Sequence, residues 1–188
     1  MDALLTTFVA AALAEWGDRT QLFVILLAGR FANPKAILAG LVVAALANSL
    51  IAAVGGGLVH DLVNLRALSL LVALALLMAG IGSLIRRRPP AMAARWRTGA
   101  FVTAALALFL LEFGDKTQFL TFALAARFDS IALASAGATF GILVANAPAA
   151  VLGEALGKTL PVQPIRWGIA ALFLIGGFWV AVSALELA

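Results

Sequence analysis

The chain has no cysteine, no tyrosine and a single histidine, and only 12% of its 188 residues are charged. Without cysteine there is no disulfide framework, no thiolate metal site and no catalytic thiol. With His60 alone, at a helix end, the imidazole clusters that zinc and copper sites recruit are absent too; His60 reads as a solvated loop residue. The scarcity of charge leaves too little polar surface for a soluble protein. Hydrophobic residues make up 64% of the chain, the mean hydropathy is +1.09, and the apolar runs outlast any soluble core helix. The composition predicts an all-α membrane protein.

A span needs about 20 mostly apolar residues, and six runs qualify: Leu4 to Ala28, Pro34 to Gly57, Ala67 to Ile85, Thr98 to Ala126, Ile131 to Gly157 and Ile165 to Leu185. Only Met1, Asp2 and Ala3 precede the first, so it lacks the basic start of a signal peptide and is expected to be retained. The net charge of +4 and a pI near 10.7 do not indicate a nucleic-acid partner, because the basic residues lie at helix ends and form no stripe. Six spans would put Arg66 and Arg127 on one side with the termini. Arg30, Lys35, Arg86, Arg87, Arg88, Arg95, Arg97, Lys158 and Arg166 would lie on the other. The positive-inside rule then predicts termini outside and residues 86–97 as a cytoplasmic linker, with Trp96 and Trp167 at the inner interface. Arg86-Arg87-Arg88 reads as a topology anchor, and Glu154 with Lys158 as a snorkelling ion pair.

Against that background two charged segments stand inside apolar runs. Glu15-Trp16-Gly17-Asp18-Arg19-Thr20-Gln21 and Glu112-Phe113-Gly114-Asp115-Lys116-Thr117-Gln118 repeat one pattern 97 positions apart. Similar offsets relate Arg30-Phe31 to Arg127-Phe128, Ala47-Asn48 to Ala145-Asn146, and Gly80 to Gly176. Residues 1–85 and 98–188 therefore read as two copies of a three-helix unit. Three is odd, so the second copy enters the membrane from the opposite side. That makes the copies inverted repeats, an arrangement that sets transporter sites at the bilayer midplane. Each Glu lies near the centre of its run, and Glu and Asp at i and i+3 would share one helical face. Gly17 and Gly114 either allow close packing or unwind the helix locally. Gly137 with Gly141, and Gly153 with Gly157, read as small-residue packing pairs.

Four carboxylates cannot remain ionised and unpaired in a low-dielectric pocket. They must share protons, pair with Arg19 and Lys116, or bind cations. Each motif carries a formal charge of −1, so the pair of motifs matches one divalent cation. The available donors are hard oxygens: Glu15, Asp18, Glu112 and Asp115, the hydroxyls of Thr20 and Thr117, and the amides of Gln21, Gln118, Asn48 and Asn146. That set suits Mn²⁺, Ca²⁺ or Mg²⁺ as a bound ion and calls for no prosthetic group. Arg19 and Lys116 would either gate the pocket from opposite sides or simply neutralise it.

Glu-x-Gly-Asp-Lys/Arg-Thr/Ser, present twice in a six-span chain of this length, resembles the Golgi-type manganese/calcium cation transporter family, whose small bacterial members are manganese exporters. The resemblance covers essentially the whole chain and implies that Glu15, Asp18, Glu112 and Asp115 form the cation site, with Thr20 and Thr117 nearby. It also implies Mn²⁺ as substrate, Ca²⁺ as a relative, and exchange against protons by alternating access. A passive cation channel and a small-metabolite exporter are the competing transport readings. An intramembrane aspartyl protease is the enzymatic one, but the chain lacks the tyrosine of the partner Tyr-Asp pair, and no enzyme is expected. A monomer suffices, and a homodimer is left open.

The orientation is directly testable because the chain carries no cysteine background. An Arg97→Cys variant should react with an impermeant maleimide only when the cytoplasmic face is exposed, and Asp61→Cys only from outside. The reverse labelling pattern would overturn the assignment.

Overall fold

The computed structural model describes residues 1–85, 96–159 and 161–186, with 157–159 described by backbone alone. Arg86, Arg87, Arg88 and Arg95 of the expected linker, and the Lys158 side chain, lie outside the described residues. Among the described residues the chain is entirely helical: α1 (Asp2–Glu15), α2 (Arg19–Phe31), α3 (Pro34–His60), α4 (Leu65–Leu84), α5 (Ala100–Glu112), α6 (Lys116–Phe128), α7 (Ile131–Leu152), α8 (Glu154–Thr159) and α9 (Val162–Ala184). Four of these, α3, α4, α7 and α9, are long and apolar enough to cross a membrane, and α5 is a shorter apolar helix. The protein is an integral membrane protein built from helices.

Local chemistry sets the helix ends. Asn33 caps α3 by accepting from the Ala36 N–H at 3.1 Å, with Pro34 next to it, and Asn64 caps α4 through the Ala67 N–H at 2.9 Å. Ala32 and Asp129 close α2 and α6 in the left-handed region. Gly153 closes α7, so the fifth run stops at Leu152 and continues as the short α8. Gly153 is thus a helix stop that also lies against Ala28, and the environment of Gly157, its expected packing partner, lies outside the described residues.

The two runs that carry the charged motifs are each interrupted. α1 and α2 together follow α7 along its length: the Gly137 Cα faces the Leu4 carbonyl, Gly141 faces Phe8, and Gly153 lies beside Ala28. α5 and α6 follow α3 in the same way, with Gly40 against Phe101 and Ala104, and Gly56 against Phe122 and Ala126. Lipid supplies no hydrophobic drive between helices, so close backbone approach through small residues does the packing. α4 and α9 pack antiparallel. Gly80 lies on Leu174, Gly177 lies on Leu77, and Arg66 reaches Glu186 at 2.5 Å where α4 begins and α9 ends.

Two large apolar clusters result, beside a small one of Ala53, Ala125 and Ala134. One joins α2, α3, α5 and α7 through Val24, Leu41, Leu108 and Ile142. The other joins α1, α4, α6 and α9 through Ala14, Ala75, Leu120 and Phe173. Both interruptions fall where the chain passes from one cluster to the other, which sets the charged motifs between two dry layers.

The close glycine contacts predict an ordered series of stabilities. A Cβ at Gly137 meets backbone of α1, and overpacking of that kind costs about 1–3 kcal/mol. At Gly176 a Cβ meets nothing within 4 Å. Thermal unfolding in detergent should show Gly137→Ala lowered and Gly176→Ala unchanged or raised; equal midpoints would contradict the packing.

Candidate cation site

Both breaks are made the same way. α1 ends on Glu15, Gly17 takes φ +69°, and Asp18 becomes the N-cap residue of α2. α5 ends on Glu112, Gly114 takes φ +75°, and Asp115 takes the same place before α6. A positive φ strains residues with a Cβ, which explains glycine at this point of each motif. The turn is closed by Asp18 N–H to the Glu15 carbonyl at 3.2 Å and by Asp115 N–H to the Glu112 carbonyl at 3.0 Å. Glu and Asp thus lie on different helices, which corrects the expectation that they share one helical face.

The glutamines hold the breaks in place. Gln21 Oε1 accepts from the Gly17 N–H at 3.0 Å, and Gln118 Oε1 accepts from the Gly114 N–H at 2.6 Å. A Gln in the first turn that reaches back to an orphan N–H is the logic of a capping box, here extended one residue further back. The other end of each amide ties the break to its neighbouring helix. Gln21 Nε2 donates to the Ala145 carbonyl at 2.7 Å, and Gln118 Nε2 donates to Asn48 Oδ1 at 3.3 Å. Both amide oxygens counted as ion ligands are therefore engaged with backbone. The signal was present in the sequence as a Gln four residues after each Gly.

Charge is balanced across the motifs. Arg19 lies 3.2 Å from Asp115, and Lys116 pairs with Asp18, so each basic residue serves the aspartate of the other motif. Lys116 is also 3.9 Å from Asp115. The Lys116 and Asp18 side chains are 5% and 3% exposed, whereas Arg19 is 31% exposed. Glu15 is fully buried and accepts from Thr117 Oγ1 at 2.6 Å and from Asn146 Nδ2 at 3.3 Å. Glu112 is buried and its Oε1 has no hydrogen-bond partner, as is the case for Thr20 Oγ1 and Asn146 Oδ1; Asp115 Oδ2 has only the 3.9 Å ion pair with Lys116. Asn48 Nδ2 donates to the Phe109 carbonyl at 3.1 Å.

All twelve residues singled out from the sequence as site candidates lie at the two breaks or on the helices beside them. Among the described residues, however, no three His, Asp or Glu side chains are close enough to hold a metal ion together. The aspartates lean on Lys116 and Arg19, since a buried charge needs an opposite partner more than it needs a shared centre. His60 stands apart. It is half-buried, with Nδ1 2.7 Å from the Ala126 carbonyl and Nε2 3.8 Å from Asp129, and is no freely solvated loop residue.

The two breaks differ in access. Two adjoining clefts of about 380 and 310 Å³ share Met78, Gly114, Asp115 and Phe119; one extends to Ile51 on α3 and the other to Ile85 beyond α4. Nothing stands within 4 Å of a Cβ built at Gly114, whereas one at Gly17 would meet Val162 and Arg166 of α9. Arg166 is held there by the carbonyls of Ser83 and Ile85. Asp115 therefore borders open space and Asp18 is sealed.

The model of the family described as Divalent cation/proton antiporter GDT1 matches residues 3–90 and 100–188. A protein of Vibrio cholerae serotype O1 described as "Putative manganese exporter" is 35% identical over 176 residues, 93% of this chain and 88% of that protein. No solved structure matches the chain.

Asp18→Asn leaves Lys116 buried without its near partner, which costs about 3–5 kcal/mol. Asp115→Asn leaves the partly exposed Arg19 able to reach water and should cost less, about 1 kcal/mol. Unfolding midpoints in detergent should separate the two variants in that order, and equal losses would contradict the unequal burial.

Proposed function

From the premise that the chain belongs to the divalent cation/proton antiporter family, we propose that it exports Mn²⁺ in exchange for protons, with Glu15, Asp18, Glu112 and Asp115 binding the cation in turn. The protein is a membrane ion transporter, and the family is one of transporters, not enzymes. The observation that carries the residue assignment is the reciprocal pairing of Arg19 with Asp115 and Lys116 with Asp18 between two identical helix breaks. Charges that costly are retained in a membrane where they act on an ion path.

In the architecture proposed here, α1–α2 and α5–α6 are the two interrupted spans of a six-span chain. Residues 1–85 and 98–188 form inverted three-helix repeats joined by a cytoplasmic linker at 86–97. Support comes from the two stretches of the family match and from the like contacts of α1–α2 with α7 and of α5–α6 with α3. The termini face outward across the bacterial inner membrane, in line with the distribution of Lys and Arg. One chain carries both halves of the site, so a monomer is enough.

Arg19 and Lys116 act as internal counter-cations. In the absence of cargo they neutralise the aspartates; an arriving divalent ion competes with them for the same oxygens. Alternating access follows when the two breaks exchange roles, one sealed by α9 as Gly17 is here and the other open as Gly114 is here. Export against an inside-negative potential costs about 2.3 kcal/mol per charge per 100 mV, so a driving ion is required. Two protons entering for each Mn²⁺ leaving would move no net charge. The choice of Mn²⁺ over Ca²⁺ rests on the description of the Vibrio cholerae protein, because hard oxygen donors accept both.

Proteoliposomes with an imposed pH gradient test the assignment. Mn²⁺ flux should follow the proton gradient, and Glu15→Gln or Glu112→Gln should reduce it by about 100-fold or more, on the scale of a lost charged partner. Flux that ignores the gradient would indicate a channel. Full flux in both variants would refute the site.

A further inference from the structure

A buried serine, Ser49, lies outside both repeated motifs. It sits on α3 next to Asn48, is 2% exposed, and its Oγ has no hydrogen-bond partner. Thr20 Oγ1, in the first turn of α2, is likewise without a hydrogen-bond partner. Deeper within their helices Thr7, Ser83, Thr121 and Thr139 return their proton to the carbonyl four residues back, at 2.7, 2.8, 2.8 and 2.7 Å. This back-bond is the default for Ser and Thr within a helix. Ser49 forgoes it and is left unsatisfied at a depth where that is unfavourable.

Ser49 borders a cavity of about 10 Å³ together with Asn48, Glu112, Thr117, Gln118 and Thr121. Such a volume is about that of one water-sized sphere. The polar lining is one-sided. Each amide beside it donates away from the cavity at least once, Asn48 Nδ2 to the Phe109 carbonyl and Gln118 Nε2 to Asn48. The Thr117 proton goes to Glu15 and the Thr121 proton to the Thr117 carbonyl, which leaves lone pairs on both hydroxyl oxygens. Glu112 Oε1 is unpartnered in the same wall. A small space bordered on its polar side by oxygen lone pairs and one carboxylate, and closed on its apolar side by Ile142, can take a hard cation.

We infer that Ser49 Oγ is a direct, neutral ligand of the transported divalent cation, which it holds together with Glu112 in this cavity. The inference rests on the cation-export reading and adds a residue outside both repeated motifs. It also makes the site unsymmetrical: Asn48-Ser49 corresponds to Asn146-Ala147 in the second copy, which has no hydroxyl there. Thr121 likewise corresponds to Val24, so the Glu112 side offers two hydroxyls that the Glu15 side lacks.

The test uses the full chain in proteoliposomes and Mn²⁺ as the probe. Ser49→Ala should raise the KM for Mn²⁺ by roughly fivefold, the scale of one lost neutral interaction, while kcat changes less; Ser49→Thr should restore it. A sulfur in the same place should favour a softer ion, so Ser49→Cys should make Mn²⁺ flux about tenfold more sensitive to Cd²⁺. Ala147→Cys is the matched control and should show no such gain. An altered fold does not produce a new preference for Cd²⁺, so the cysteine pair decides the matter even if Ser49→Ala fails to insert. Wild-type KM in Ser49→Ala with wild-type Cd²⁺ sensitivity in Ser49→Cys overturns the inference. If Glu112→Gln abolishes flux in the same preparations, the carboxylate assignment survives that result. If Glu112→Gln transports normally, the export site itself is misassigned and Ser49 falls with it.

Discussion

The buried pair between Lys116 and Asp18 is the interaction on which the rest of this molecule depends. Neither side chain is more than 5% exposed, so each would be strongly destabilised without the other. The two groups come from different helix breaks, and joining them requires that both breaks lie at the same depth and face each other. That requirement propagates outward. It fixes α1–α2 against α7 and α5–α6 against α3, and the small residues along those contacts let the backbones come close enough.

A charged layer of this kind is tolerated because it is confined. The apolar cluster of α2, α3, α5 and α7 lies on one side of it, and that of α1, α4, α6 and α9 on the other. Helix interruption inside a bilayer leaves backbone groups without partners, and lipid cannot supply them. Gln21 and Gln118 satisfy the Gly17 and Gly114 N–H groups from within the same motif. The motif therefore carries its own repair: glycine to make the turn, glutamine to cap it, and an acid on either side.

Departures from symmetry are where function enters. Glu15 is held by Thr117 and Asn146, while Glu112 keeps an unpartnered oxygen. Arg19 is partly exposed beside Asp115, and Lys116 is enclosed beside Asp18. Val162 and Arg166 cover Gly17, and nothing covers Gly114. Two motifs alike in sequence are thus held in unlike environments within one conformation. The alternating access proposed for this chain would draw on such a difference, with one side open while the other is shut.

Much of this was legible in the residues alone. The apolar runs and the scarcity of charge determined a helical membrane protein, because a bilayer leaves the backbone few other choices. The doubled Glu-x-Gly-Asp motif determined where charge had to be satisfied, and the offset near 97 related its two copies. Three-dimensional packing decided what periodicity could not report. A helical wheel drawn through Gly17 or Gly114 assumes a continuous helix, and the positive φ at each ends one. Pairing of Arg19 with Asp115, and of Lys116 with Asp18, joins residues about a hundred positions apart and has no local signature. Ser49 looked like any helical serine until its missing back-bond and its cavity were visible. Local chemistry follows from neighbours in the chain. The choice of charge partner, and of which oxygen is left without one, follows from neighbours in space.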